Sequence, residues 1–239
     1  MQNQAIQVKG LQKSYKKIHV LKGVDFEVAK SSIFALLGSN GAGKTSTLNA
    51  IAGLVPASAG SIRLDGRDIA RQPAYAIVRK GLALSPEGWR LFVQQSVENN
   101  LLLGATPLAD RSKVGEMLER VYALFPRLAE RRKQRAGTMS GGERQMLAVG
   151  RALMSEPKLL LLDEPSLGLA PAVIETMYET FQRLHKAGLT LLIAEQSVYL
   201  ALEVASYAYV LQVGRSVLSG TSAELLNNPD VQRIYLGVG

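Results

Sequence analysis

The hydrophobic pattern changes period several times along the chain, and each change marks an element. "IFALLG" (33–38) is a short unbroken apolar run that predicts a buried strand, and "KTSTLNAIAGL" (44–54), just after a cluster of glycines, has the apolar spacing of a helix. "KLLLLD" (158–163) predicts a strand covered on both faces, as in a parallel sheet. "LTLLIAE" (189–195) follows a helical stretch over 171–187 and predicts a further strand of the same sheet. "IQVKGL" and "VLKGVDFEV" alternate as antiparallel strands do, and "YVLQVGRSVLSG" (209–220) predicts a hairpin turning near Gly214. Residues 88–155 are mainly helical in pattern, most clearly in "RSKVGEMLERVYALF", and "SAELLNNPDVQRIYLG" predicts a short helical end. No repeat or low-complexity linker interrupts the chain. The expected fold is therefore α/β: a single 1–239 domain with residues 1–87 and 156–239 as its core, an N-terminal antiparallel sheet, and an inserted helical region over 88–155.

With 239 residues, 47% of them hydrophobic, the chain is large enough to bury a sizeable core. The start, "MQNQAIQVKG", has no basic-then-apolar leader pattern, and no run of eighteen apolar residues occurs, so neither export nor a membrane span is expected. The absence of cysteine excludes disulfides, thiolate metal sites and cysteine nucleophiles, and His19 and His185 are too few for a metal cluster. A formal charge of +8 favours anionic partners: nucleotides, lipid headgroups or nucleic acid. Arg127, Arg131, Arg132, Lys133 and Arg135 form one dense basic run, which a solvated helix face explains equally well.

Two glycine-rich turns carry the candidate chemistry. "GSNGAGKT" (38–45) fits the phosphate-loop pattern G-x-x-x-x-G-K-[ST], in which backbone N–H groups and the positive end of a helix converge on phosphate oxygens. Lys44 is expected to reach the β/γ-phosphates and Thr45 to hold Mg²⁺. Asp163, at the end of a buried strand, is the expected second metal partner, and the adjacent Glu164 is placed to orient or deprotonate the attacking water; a helix-capping role is the plainer alternative for Glu164. The second turn, "TMSGGERQM" (138–146), puts Ser140 at a helix N-cap and offers further N–H groups to an anion, although a simple capping box accounts for it too.

In their order and approximate spacing, "GSNGAGKT", "MSGGERQ" and "LLLLDEP" make nearly the whole chain resemble the ATP-binding subunits of ABC transporters. The resemblance implies an ABC ATPase fold with a P-loop NTPase core, an ATPase activity, and ATP and Mg²⁺ as ligands. It implies that Gly38, Ser39, Asn40, Gly41, Ala42, Gly43, Lys44, Thr45 and Ser46 hold phosphates. It also implies head-to-tail pairing, in which Ser140, Gly141, Gly142 and Glu143 close over the ATP of a second such subunit, identical or related. Tyr15 falls where the family stacks adenine, with a packed surface tyrosine as the alternative.

Several positions depart from the family pattern. Glu87 stands where most members have a glutamine that contacts nucleotide and metal, Ala170 replaces an aspartate, and Gln196 replaces the switch histidine. Gln196 cannot become a cation, though its amide can hydrogen-bond phosphate or water, which leaves Glu164 as the better base. Together with "SVENNLLLGA" and the ending "YLG", these departures resemble the ATP-binding subunits of branched-chain amino-acid importers and their relatives, urea importers included. That resemblance implies membrane-spanning permease subunits, a solute-binding protein acting indirectly, and a peripheral place on the cytoplasmic face of the inner membrane. Trp89, the only tryptophan, falls in a region that in the family touches the membrane subunit, with core packing as the alternative. The rival reading is a soluble DNA- or ribosome-associated ATPase. DNA-handling relatives carry long coiled coils between phosphate loop and signature, for which the stretch from Lys44 to Ser140 is too short, and the ribosomal type commonly has two ATPase halves. No nucleic-acid partner is therefore expected.

Overall fold

The computed structural model describes residues 4–232. Strands β1 (Gln4–Tyr15) and β2 (Ile18–Ala29) form the predicted antiparallel pair, joined in a second sheet region by β4 (Ala59–Leu64) and β5 (Arg67–Asp68) in the order β2-β1-β4-β5. The larger sheet runs β10-β9-β3-β8-β7-β6, with β3 (Ile33–Leu37), β6 (Leu82–Ser85), β7 (Leu159–Asp163) and β8 (Thr190–Glu195) parallel. β9 (Tyr207–Gln212) extends it in parallel beside β3, and the hairpin through Val213 and Gly214 returns as antiparallel β10 (Arg215–Thr221).

The leucine run of β7 is buried at every position because both faces of this sheet are covered. Leu160 and Leu162 face one core, with Ile33, Ala35 and Leu37 of β3; Leu159 and Leu161 face the other, with Phe34 and Leu36. The second core lies between the two sheets and takes in Leu48 and Ile51 of α1 (Lys44–Ile51), along with Ile77 of the short α2 (Ala74–Val78). Helix α1 stops at Ile51, short of the stretch predicted to Leu54: Gly53 has φ +69, which ends the helical geometry.

The first core packs the helices against the other face: α3 (Val97–Gly104), α4 (Val114–Leu124), α5 (Pro126–Glu130) and α6 (Gly141–Leu153), then α7 (Pro171–Lys186) and α8 (Val198–Val204). Of the predicted helical end, α9 (Ser222–Leu226) and α10 (Pro229–Val231) are present; "YLG" (235–237) lies outside the described residues. The C-terminal ends of β3, β7, β8 and β6 lie side by side, so Gly38, Asp163, Gln196 and the stretch after Ser85 share one edge of the sheet, where open α/β folds bind ligands.

Candidate functional site

The turn from β3 into α1 is made by glycine geometry. Gly41 and Gly43 have φ of +81 and +111, and a Cβ on Gly43 would lie 2.7 Å from Leu21 Cδ2, so no other residue fits that corner. Helix α1 has no side-chain cap, which leaves its first N–H groups for a ligand. Lys44 is 3% exposed; its ammonium donates to the carbonyls of Gly38 at 2.8 Å and Ser39 at 3.3 Å and pairs with Glu164 Oε1 at 3.0 Å. Glu164 sits with φ +47 and is itself buried; its N–H donates to Ala194 O. It caps no helix, since the N-cap of α7 is Ala170.

Beside this pair, the Thr45 hydroxyl donates to Asp163 Oδ1 at 3.1 Å. Burial pushes the Asp163 carboxyl up to about 6; the Thr45 hydrogen bond opposes this, the charges of Glu87 and Glu164 add to it, and Lys44 again opposes it. Asn40, Gly41, Gly43, Lys44, Thr45, Ser46, Glu87 and Glu164 line one recess of ≈ 300 Å³, together with Val20 and Leu167, which the sequence reading does not single out. Among the described residues no group of acidic or histidine side chains is arranged to hold a metal alone. What the recess and the adjoining Asp163 offer is the hydroxyls of Thr45 and Ser46 and hard carboxylate oxygens whose mutual repulsion a cation relieves. That donor set fits a partly protein-bound Mg²⁺ completed by phosphate oxygens.

The other candidate residues lie outside this recess. Tyr15, 40% exposed at the end of β1, has the Lys13 ammonium 4.9 Å above its ring centroid. Gln196 is exposed just past β8, its N–H donating to Glu195 Oε2. Ser140 is the N-cap of α6 in a full capping box: its hydroxyl accepts from Glu143 N–H at 3.3 Å, and its own N–H donates to Glu143 Oε2 at 2.9 Å. The other oxygen of Glu143 pairs with Arg131 at 3.0 Å, so part of the basic run braces the turn. Gly142 packs tightly, since a Cβ there would lie 2.7 Å from Val173 Cγ1, whereas a Cβ on Gly141 would meet nothing closer than 3.8 Å.

The two turns are bridged by a segment whose shape the sequence does not reveal. After Glu87, residues Gly88, Trp89 and Arg90 all have positive φ, and Arg151 of α6 donates to the carbonyls of Arg90 at 2.7 Å and Trp89 at 3.0 Å. The Trp89 ring is partly buried near Gly141, with the Arg144 guanidinium 5.4 Å from its centroid.

An α/β sheet with a phosphate-loop turn after one strand and an aspartate–glutamate pair at the end of another, one strand removed, is the frame of a nucleotide-binding cassette, and comparison with known proteins places it. The ABC transporter family model matches residues 21–167. The chain is 49% identical over 223 residues to BraG of Pseudomonas aeruginosa, a high-affinity branched-chain amino acid transport ATP-binding protein, covering 93% of this chain and 95% of that one. It is 35% identical over 237 residues to LptB of Escherichia coli K12, a lipopolysaccharide export system ATP-binding protein, covering 96% and 95%. Among solved structures, the ADP conformation of an ABC transporter cassette superimposes with a TM-score of 0.83 at 25% identity, covering 98% of this chain and 99% of that one. The chain belongs to the ABC transporter family, as one of its ATP-binding cassettes.

Proposed function

We propose that this chain is the ATP-hydrolysing subunit of an importer for branched-chain amino acids, held on the cytoplasmic face of the inner membrane by permease subunits and served indirectly by a solute-binding protein. The nucleotide reading is carried by one arrangement: buried Lys44, at a helix start with no side-chain cap, beside Thr45 and Glu164 in a single recess, with Asp163 hydrogen-bonded to Thr45 at its edge. The solute reading rests on the likeness to BraG, which is well above that to the lipopolysaccharide export protein. No helix among the described residues is long and apolar enough to cross a membrane, so the work of transport falls to partners.

In this reading the β/γ-phosphates displace Glu164 from Lys44, and the freed carboxylate orients the attacking water and takes its proton, a contribution of roughly 10²–10⁴-fold. Mg²⁺, held by Thr45 and Asp163 with Glu87 nearby, supplies charge neutralisation at the phosphates. Gln196 offers its amide to the terminal phosphate, and Tyr15 stacks on adenine. Ser140, Gly141, Gly142 and Glu143 present the N-terminus of α6 to the ATP of a second subunit, so that ATP joins the pair and hydrolysis releases it.

Glu164→Gln keeps an oxygen for Lys44 but removes the base, and the expected result is an ATP-stabilised dimer by light scattering. A monomer at saturating ATP overturns the pairing. With the co-purified membrane partner in proteoliposomes, leucine, isoleucine and valine are expected to stimulate ATP turnover; stimulation by urea instead reassigns the solute.

A further inference from the structure

One buried carboxylate outside the recess gathers three donors. Glu195 ends β8 and is 2% exposed. Its Oε1 accepts from the Ser166 N–H at 3.0 Å and from the Tyr178 hydroxyl at 3.1 Å, and its Oε2 accepts from the Gln196 N–H at 3.2 Å. Burial pushes this carboxyl above its usual range, and the same hydrogen bonds work against the shift. A strand end between packed layers is a costly place for a charge unless that charge is fully partnered.

The donors belong to separate segments that surround the site. Ser166 lies two residues beyond Glu164, whose carbonyl accepts from Leu167 N–H to close that turn, and Tyr178 belongs to α7. The Glu195 main chain joins in, its carbonyl accepting from Gly38 N–H at 3.3 Å. Glu164 is thus tied twice to the end of β8, through Ala194 O at its own N–H and through the Glu195 carboxylate at Ser166.

We propose that Glu195 is a positioning residue for ATP hydrolysis: its carboxylate locks the turn carrying Glu164 to Gln196, so that both meet the terminal phosphate in one arrangement. The proposal rests on the ATPase reading above. Glutamine at this position keeps an oxygen for Ser166 and Tyr178 but turns an amide donor toward the Gln196 N–H, which opposes it.

The test is steady-state hydrolysis of Mg-ATP by the purified full-length chain. For Glu195→Gln the expected kcat falls about tenfold while KM for ATP stays within about twofold, because the phosphate loop is untouched. In a Gln196→Ala background the same substitution is expected to cost about threefold or less, since residues acting through one another are not additive. Tyr178→Phe keeps its ring against Phe181, at 5.5 Å between centroids, and loses only the hydroxyl; its kcat is expected to fall about threefold. A folded Glu195→Gln with wild-type kcat, an equal loss with and without Gln196, or a change confined to KM overturns the proposal. Should Glu195→Gln melt below the assay temperature, Tyr178→Phe decides, and wild-type kcat in that variant is the overturning result. A wild-type chain without ATPase activity sinks the ATPase reading and this one together; an active wild type beside an unaffected variant sinks this one alone.

Discussion

The two glycine-rich turns of this chain both open helices, yet they are held by opposite means. The turn into α1 is shaped by the backbone: left-handed Gly41 and Gly43, no side-chain cap, and a buried lysine folded over its own carbonyls. The turn into α6 is shaped by side chains: a reciprocal Ser140–Glu143 cap braced by Arg131, with Gly141 and Gly142 already helical. The first leaves donors free inside a recess lined by its own chain. The second is stiff without a ligand and has no neighbour closer than 3.8 Å to a Cβ at Gly141, which suits a surface offered to another molecule. Glycine is used for backbone shape in one and for clearance in the other.

The largest effect that separates them is expected at Lys44. Lys44→Ala should weaken ATP binding by about a hundredfold, measured with a fluorescent ATP analogue. It should also destabilise the fold by roughly 3–5 kcal/mol, since it strands the buried Glu164 carboxylate. Adding Glu164→Gln should restore most of the melting temperature and none of the affinity; recovered affinity would break the assignment of Lys44 to phosphate.

Next come the two glycines of the second turn. Gly142→Ala forces a methyl into Val173, a stiff neighbour, and should cost about 1–3 kcal/mol in thermal melts. Gly141→Ala should melt no lower than wild type and still slow ATP hydrolysis, because its methyl fits against Leu169 and the Trp89 ring at 3.8 Å without a clash yet adds bulk to the surface proposed to face a second subunit. Normal turnover in Gly141→Ala would show that this surface is idle. Ser140→Ala removes one cap bond and should cost ~1 kcal/mol by the same melts, with nucleotide binding to the isolated chain unchanged.

The last effect, at Asp163, depends on pH. Burial holds its carboxyl at about 6 in the folded chain, above its ordinary range, so the proton binds the folded state more tightly. The stabilisation this gives is fully present below the unfolded value and is lost as pH rises through about 6. Nucleotide-free wild type should therefore lose melting temperature relative to Asp163→Asn between pH 4 and pH 7. A constant difference would place Asp163 in a more polar setting than the one described.

Much of the fold was legible because its strands are buried on both faces and therefore written in unbroken apolar runs, as in β3, β7 and β8. β6 was not: "LALS" is four residues between Gly81 and Pro86, too short to show a period. β4 escaped because its first residues are exposed and carry no alternation. Among site residues, the phosphate-loop positions Gly38 to Ser46 lie within nine consecutive places and need only local spacing to be found. The Lys44–Glu164 pair, the Arg131 brace and the donors on Glu195 join distant parts of the chain, so only tertiary structure reveals them. The left-handed backbone at Trp89 and Arg90 goes against the preference of both residues and is held by Arg151, 61 positions away.

Two bulky residues in left-handed geometry cost roughly 1–2 kcal/mol each, and the opposing restraint includes a single guanidinium gripping two carbonyls. The bend behaves like a sprung latch between the recess and the second turn: Glu87 is at one end, and at the other the Trp89 ring rests near Gly141. In the pairing proposed above, a Glu87 that moved when its own recess filled would have a lever two peptide bonds long to the surface offered to the second subunit, a route for one half of the pair to signal its occupancy to the other.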